Sequence, residues 1–224
     1  MGKAVDNRTH SAEPVIAKRL VLGCGALVHE LVALCRQTPL LKEAITLQCL
    51  PAKLHNTPQL IAVEVDKFLS ENAHKYQDVF VAYGDCGTAG ALDQVLTKYN
   101  ANRIEGAHCY EFFAGTAAFE EITEDQLGSF FLTDYLVKNF DRLVIQGLGL
   151  DRFPELFDEY FRHYTQVVYL AQTKSQELQD MAKQYAESFG MNYQYRYVGT
   201  EGLNVVASPI LPLAFDLELQ VASA

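Results

Sequence analysis

Four cysteines stand where an apolar run gives way to a turn: Cys24 in Leu-Val-Leu-Gly-Cys-Gly, Cys49 in Ile-Thr-Leu-Gln-Cys-Leu-Pro, Cys86 in Val-Phe-Val-Ala-Tyr-Gly-Asp-Cys-Gly-Thr, and Cys109 in Ile-Glu-Gly-Ala-His-Cys-Tyr-Glu. If those runs are parallel strands, the sulfurs collect near the carboxyl edge of one sheet, where open α/β folds bind ligands. Thiols in that position suit a metal-thiolate centre or a reactive thiol pair. Three cysteines from three separated loops, with a fourth position open, fit a catalytic zinc that activates a thiol. They fit equally a cubane iron–sulfur cluster with one exchangeable iron. Cys24, Cys86 and Cys109 are the expected metal ligands, and zinc or a [4Fe-4S] cluster the expected cofactor.

Cys86 carries the strongest signal. Glycines flank Asp85-Cys86, so the backbone there can approach a ligand closely, and the start of the following helix favours a thiolate. Cys24 lies between two glycines on the same logic, and Cys109 follows His108, a second soft ligand. The backbone at Gly25, Gly87 and Thr88 is where a cofactor would be approached. Cys49 precedes Leu50-Pro51 and can join the site or be core; Cys35 lies in a helical stretch beside Leu34 and reads as core. His55, in a loop with Asn56, can orient a ligand or donate a proton. Asp85 and Glu111 can act as general bases or simply bind turn backbone. Asp151-Arg152 can hold an anion or form an internal ion pair. Tyr110, Phe112 and Phe113 read as core.

These residues need a scaffold of alternating strands and helices. Leu20 to Leu22 reads as a short buried strand, followed by a helix over Ala26 to Gln37 with Leu27, Leu31 and Leu34 on one face. Strands are expected at Ala44 to Gln48, Asp78 to Tyr83, Arg103 to Glu105, Leu143 to Gln146 and Val167 to Leu170, with an edge strand at Tyr193 to Val198. Thr57-Pro58 is an expected N-cap for a helix to about Ala73, and further helices are expected at Ala89 to Tyr99, Pro154 to His163 and Ser175 to Phe189. Thr123 and Gln126 form a possible capping box. The alternation predicts an α/β fold, with a mostly parallel sheet covered by helices on both faces. Residues 1–19 read as a polar arm and 20–224 as one α/β domain. The similar turns after Leu20-Val21-Leu22 and Leu143-Val144-Ile145 leave two lobes as a lesser possibility.

Seven motifs occur in one order: Cys24-Gly25-Ala26-Leu27, Cys49-Leu50-Pro51-Ala52-x-Leu54-His55-Asn56, Tyr83-Gly84-Asp85-Cys86-Gly87-Thr88, His108-Cys109-Tyr110-Glu111-Phe112, Leu132-Thr133-Asp134, Gly147-Leu148-Gly149-Leu150-Asp151-Arg152 and Tyr169-Leu170-Ala171-Gln172. In these the chain resembles a bacterial and archaeal family known as a domain of unknown function, over roughly Leu20 to Gly199. Members are often encoded beside corrinoid proteins, methyltetrahydrofolate methyltransferases and corrinoid-activating proteins. The resemblance therefore implies a link to cobalamin-dependent methyl transfer, including methionine synthesis, with a corrinoid protein or methyltransferase subunit as partner. The chain has no Asp-x-His-x-x-Gly motif, so no bound corrinoid is expected on it.

Composition bounds the rest. The chain has 224 residues, 49% hydrophobic and 21% charged, enough for a full core. A net charge of −10 argues against nucleic acid and anionic membrane surfaces as partners. No apolar run is long enough for a membrane span, the first 19 residues do not read as a signal peptide, and Asp6 spoils a myristoylation reading. A cytoplasmic location is expected, where thiols stay reduced. There is no Cys-x-x-Cys and no His-Glu-x-x-His, and neither glycine-rich turn has the third glycine of a dinucleotide fingerprint. The leading expectation is a metal-thiolate protein of corrinoid-linked methyl transfer acting on a small molecule, in support of methionine synthesis or of corrinoid activation, as a methyltransferase component or a corrinoid-reactivating protein. The alternatives are a cofactor-independent cysteine enzyme, with racemase-like proton transfer or thiol nucleophilicity, and a structural partner of a methyltransferase complex.

Overall fold

Leu20, Val21 and Leu22 have no solvent exposure, as a parallel strand covered on both faces requires. They lie in β1 (Ile16–Cys24), flanked by β2 (Ile45–Leu50) and β3 (Tyr76–Ala82), with the short β4 (Asn102–Arg103) beyond. The order is β2-β1-β3-β4 and every pairing is parallel. This computed structural model describes residues 16–37, 44–109, 111–114, 119 and 128–199.

The first strand begins four residues earlier than its apolar run. Arg19 is only 6% exposed, and its guanidinium donates to both Asp78 oxygens at 2.7–3.0 Å from the neighbouring strand. Register pairs the two residues directly, so a charge that reads as surface is satisfied inside the sheet.

Between the strands come α1 (Val28–Gln37), α2 (Ile61–Asn72) and α3 (Ala91–Lys98). Right-handed crossovers put α1 on one face and α2 with α3 on the other, because the chain reverses direction across the sheet after β2. That reversal makes the gap between the carboxyl ends of β1 and β3 a topological switch point, the usual ligand crevice of such sheets.

The second half forms its own parallel sheet, ordered β5 (Ser129–Thr133), β6 (Gln166–Ala171) and β7 (Asn192–Tyr197). The strands thus fall into two sheets. β7 is at the edge, as its alternation predicts, and α7 (Gln176–Ser188) joins it to β6, N-capped by the Ser175 hydroxyl. The short α4 (Glu111–Ala114) puts Phe112 into the core of the first sheet, and two short helices complete the second half: α5 (Asp134–Lys138) and α6 (Leu156–Phe161).

Leu143 to Gln146 is not a strand. Asp141–Ile145 forms a π-helix, with Gln146 N–H donating to the Asp141 carbonyl at 2.8 Å. Three consecutive apolar residues do not distinguish a strand from a buried helical turn. Thr57 precedes a 3-10 turn without a side-chain cap bond, and α2 starts only at Ile61. The expected capping box at Thr123 and Gln126 lies outside the described residues. The halves touch through named turns: α5 packs on Gly25–Leu27, and the Ala52–Asn56 turn packs on the π-helix. There Asn56 Nδ2 donates to the Leu143 carbonyl at 2.5 Å.

Candidate functional site

Cys24 is the last residue of β1, and its sulfur accepts the Ala26 N–H at 3.4 Å. The turn after it is pressed against the next strand end. A Cβ on Gly25 would fall 2.7 Å from the Leu50 carbonyl oxygen and 2.8 Å from the Ala52 nitrogen, so this glycine permits a close backbone approach.

The loop after β3 is fixed more tightly. Cys86 has φ 50°, an unusual left-handed conformation for a residue with a side chain. Asp85 supports it: its carboxylate accepts the Thr88 hydroxyl at 2.9 Å, the Gly90 N–H at 3.0 Å and the Ala89 N–H at 3.2 Å. These bonds hold its pKa low, the Gly90 N–H contributing most. Thr88 is buried with its hydroxyl committed to Asp85, and a Cβ on Gly87 would meet Pro58 at 3.4 Å.

The Cys109 loop is stitched to this one. Asp85 N–H donates to the Gly106 carbonyl at 3.0 Å, and Cys86 N–H to the Ala107 carbonyl at 2.8 Å. Gly84 makes the contact possible, since a Cβ there would lie 2.9 Å from the His108 carbonyl carbon. From the other side, buried Glu111 accepts the Ala107 N–H at 2.7 Å and the His108 N–H at 3.2 Å. Asp85 and Glu111 therefore act on backbone, as loop clamps.

Together these contacts gather three sulfurs. Cys86 Sγ and Cys109 Sγ are 2.9 Å apart, and Cys24 lies close enough to Cys109 for the two thiols to shift each other's pKa. Protons distribute unequally among them. Bonds to Cys24 and Cys86, then burial, raise the Cys109 pKa well above that of a free thiol. Interaction with Cys109 lowers the pKa of both neighbours, against the opposing effect of burial. Cys109 is thus the weakest acid of the three. Among the described residues, no three His, Cys, Asp or Glu side chains stand in the ready-made spacing of a metal site.

Tyr83 completes the cluster, and the sequence reading passed over it. It is 1% exposed, and its hydroxyl has no well-formed hydrogen bond among the described residues. Burial, then the charges of Cys24 and Cys109, push its pKa far upward. Its hydroxyl interacts with the Cys24 thiol, helping to lower that thiol's pKa. Its position just past a strand end was the available signal.

The other candidates fall elsewhere. Cys49 pairs in register with Gly23, one residue off the Cys24 level, so strand alternation turns it to the opposite face. Burial and then the Cys24 charge raise its pKa to about 11. Cys35, on α1, is also raised by burial. His55 keeps solvent exposure, yet the protein around it and then the charge of His108 lower its pKa; it therefore lies within electrostatic reach of the Cys109 loop. Asp151 and Arg152 form an exposed pair at 3.9 Å, with the guanidinium 5.7 Å from the Phe153 ring centre. Asp134 is buried and fully used. It accepts the Tyr169 hydroxyl at 2.7 Å, the Gln172 N–H at 3.0 Å, and the Thr173 N–H and hydroxyl at 3.1 and 2.6 Å, tying the ends of β5 and β6 together.

A family model described as "Protein of unknown function (DUF1638)" matches residues 49–206, which is 158 of the 224 residues. Cys86 and Cys109 fall inside the match and Cys24 outside it. No curated protein and no solved structure matches the chain.

Proposed function

We propose, for a chain that belongs to the DUF1638 family, a metal-thiolate function in corrinoid-linked methyl transfer. The observation that carries the proposal is the convergence of Cys24 and Cys86 on Cys109, with the buried Tyr83 hydroxyl beside them. Three sulfurs at a switch-point crevice are a donor set for a thiophilic cation. A cation would relieve the crowded protons and the mutual repulsion of thiolates, and would give the buried hydroxyl a charged neighbour.

The geometry favours one ion over a cluster. Thiolates of a cubane bind different irons and stand far apart, whereas ligands of one zinc share a tetrahedron with edges of about 3.8 Å, given bonds near 2.3 Å. Opening the 2.9 Å contact between Cys86 and Cys109 to that edge is a side-chain adjustment. Zinc is therefore the preferred cofactor. It would lower the pKa of a substrate thiol and hold it as the thiolate that accepts a methyl group.

The chain's own groups have distinct parts in this reading. Cys24, Cys86 and Cys109 bind, releasing the proton that Cys109 retains. Asp85 and Glu111 hold the two loops in place, and His55, within reach of the charge of His108, would be the proton-transfer group at the rim. The link to corrinoid partners and to methionine synthesis rests on the family resemblance. The proton-transfer alternative has less support, because a two-thiol racemase needs its substrate carbon between the sulfurs, and 2.9 Å leaves no room for one.

Deleting the gene in a host with a single, corrinoid-dependent methionine synthase tests the role. The deletant should require methionine, with rescue by the wild-type gene and not by a Cys86→Ser copy. Unimpaired growth without methionine, together with normal use of methylated amines and betaines, would remove the corrinoid link.

A further inference from the structure

A cavity of about 790 Å³ lies between the Ala52–Asn56 turn and the π-helix, a volume that encloses a small organic ligand. None of the five cysteines lines it, so it is separate from the thiol cluster. Leu54, Leu60 and Leu143 supply apolar wall, Lys53 and Arg142 supply cations, and Glu64 one acid.

Three observations indicate a built site. Arg142 projects from a π-helix, a geometry concentrated at functional sites. The wall is held by Asn56 donating to the Leu143 carbonyl, and a side chain at Gly147 would collide with both groups, so glycine is required there. Finally, neither Lys53 nor Arg142 meets a carboxylate at ion-pair distance among the described residues. Arg142 instead donates to Asn139 Oδ1 at 2.8 Å and the Tyr135 hydroxyl at 3.4 Å, which orients its guanidinium without neutralising it. Leu60, 44% exposed, adds an uncovered apolar surface.

Two uncompensated cations on one cavity reverse the sign of a chain whose net charge is −10. Glu64 leaves the lining at a formal +1, two cations less one acid, which matches a monoanion better than a doubly charged phosphate. We propose that this cavity binds a small monoanionic carboxylate with an apolar body. The carboxylate takes the planar fork of Arg142 with Lys53 beside it, and the body lies on Leu54, Leu60 and Leu143. The site stands whether or not the thiols hold a metal.

The test titrates the full isotope-labelled chain with hexanoate, hexyl phosphate and hexylammonium, following backbone amide shifts. Hexanoate should saturably shift amides within 51–60 and 142–147, and hexylammonium should not. Arg142→Gln should weaken hexanoate binding about tenfold, a loss of about 1.4 kcal/mol, while Lys98→Gln, whose lysine pairs with Asp66, should leave it unchanged. Leu60→Asp, at an exposed position, should also weaken binding and guards against a misfolded arginine variant. Silence at those amides, equal shifts from hexylammonium, tighter binding of hexyl phosphate, or full affinity in both variants would each overturn the proposal.

Discussion

Cys86 Sγ and Cys109 Sγ lie 2.9 Å apart although 23 residues separate them. Two backbone hydrogen bonds between their loops and the bare Cα of Gly84 bring them together. The contact sorts the thiols by acidity: the pKa of Cys109 is raised by its two sulfur neighbours and by burial, and those of Cys24 and Cys86 are lowered by their interaction with it.

Metal-free protein should therefore be alkylated in a defined order. At pH 7 iodoacetamide should modify Cys86, which is partly exposed and lowered, before Cys35 and Cys49. Cys49, raised to about 11, should react appreciably only in alkaline solution, and Cys24 should lag because it is 4% exposed. Peptide mass spectrometry over a time course reads the order. Prior labelling of Cys35 or Cys49 would contradict the proton distribution.

Gly84→Ala should separate the two loops. The added Cβ would meet the carbonyl carbon, nitrogen and Cα of His108 at 2.9–3.2 Å, and backbone yields little. A destabilisation of about 1–3 kcal/mol in urea denaturation is expected from overpacking, with Cys86 reactivity at pH 7 falling toward that of an ordinary thiol. Wild-type stability and labelling in this variant would show that the close approach is unimportant.

Asp85→Ala should cost about 1–2 kcal/mol, as loss of a capping carboxylate does. The folded pKa of Asp85 lies below its ordinary 3.8. Its contribution is therefore fully present above that value and disappears as pH falls through the lowered one. The stability difference between wild type and Asp85→Ala should be flat from pH 5 to 8 and should shrink under stronger acid. A gap that widened on acidification would refute the assigned bonds.

Glu30→Gln should stabilise the protein at neutral pH. Glu30 is 7% exposed, one of its oxygens is buried without a hydrogen-bond partner among the described residues, and burial followed by the charge of Asp134 raises its pKa. Because the folded pKa is above the ordinary 4.5, ionisation favours the unfolded chain. The penalty is absent below that value and grows as pH rises to the folded pKa. A gain of about 1 kcal/mol is expected at pH 7 and none at pH 4, measured by thermal unfolding. Destabilisation at pH 7 would mean that ionised Glu30 has a partner.

The sequence was most readable where period and punctuation agreed. β1, β3 and α7 follow from Leu20-Val21-Leu22, the Val-Phe-Val run and Ser175 with its amphipathic helix, all local signals. Arg19 in β1 was not readable, because its neutralising partner Asp78 is 59 residues away. The π-helix at Leu143 was misread as a strand, since three apolar residues satisfy either period. For the site, turn glycines pointed to Cys24, Cys86 and Cys109, which the fold brings together. Thr88, Asp85 and Glu111 were legible as polar turn residues but not as clamps, because a carboxylate's partners are set by tertiary approach. Tyr83 is not legible for the same reason: nothing local says that its hydroxyl is buried beside the thiols.

Metal content tests the central claim most directly. The chain should be purified anaerobically beside Cys86→Ser, Cys109→Ser and Cys35→Ser, with elemental analysis and cobalt(II) substitution followed by its thiolate charge-transfer absorbance. The account predicts about one zinc per chain in the wild type and in Cys35→Ser. It predicts loss of metal and of cobalt–thiolate absorbance in Cys86→Ser and Cys109→Ser, with the folded circular dichroism spectrum retained. A wild-type chain that takes up neither metal, or turn variants that keep the full complement, would contradict a shared thiolate centre at Cys24, Cys86 and Cys109.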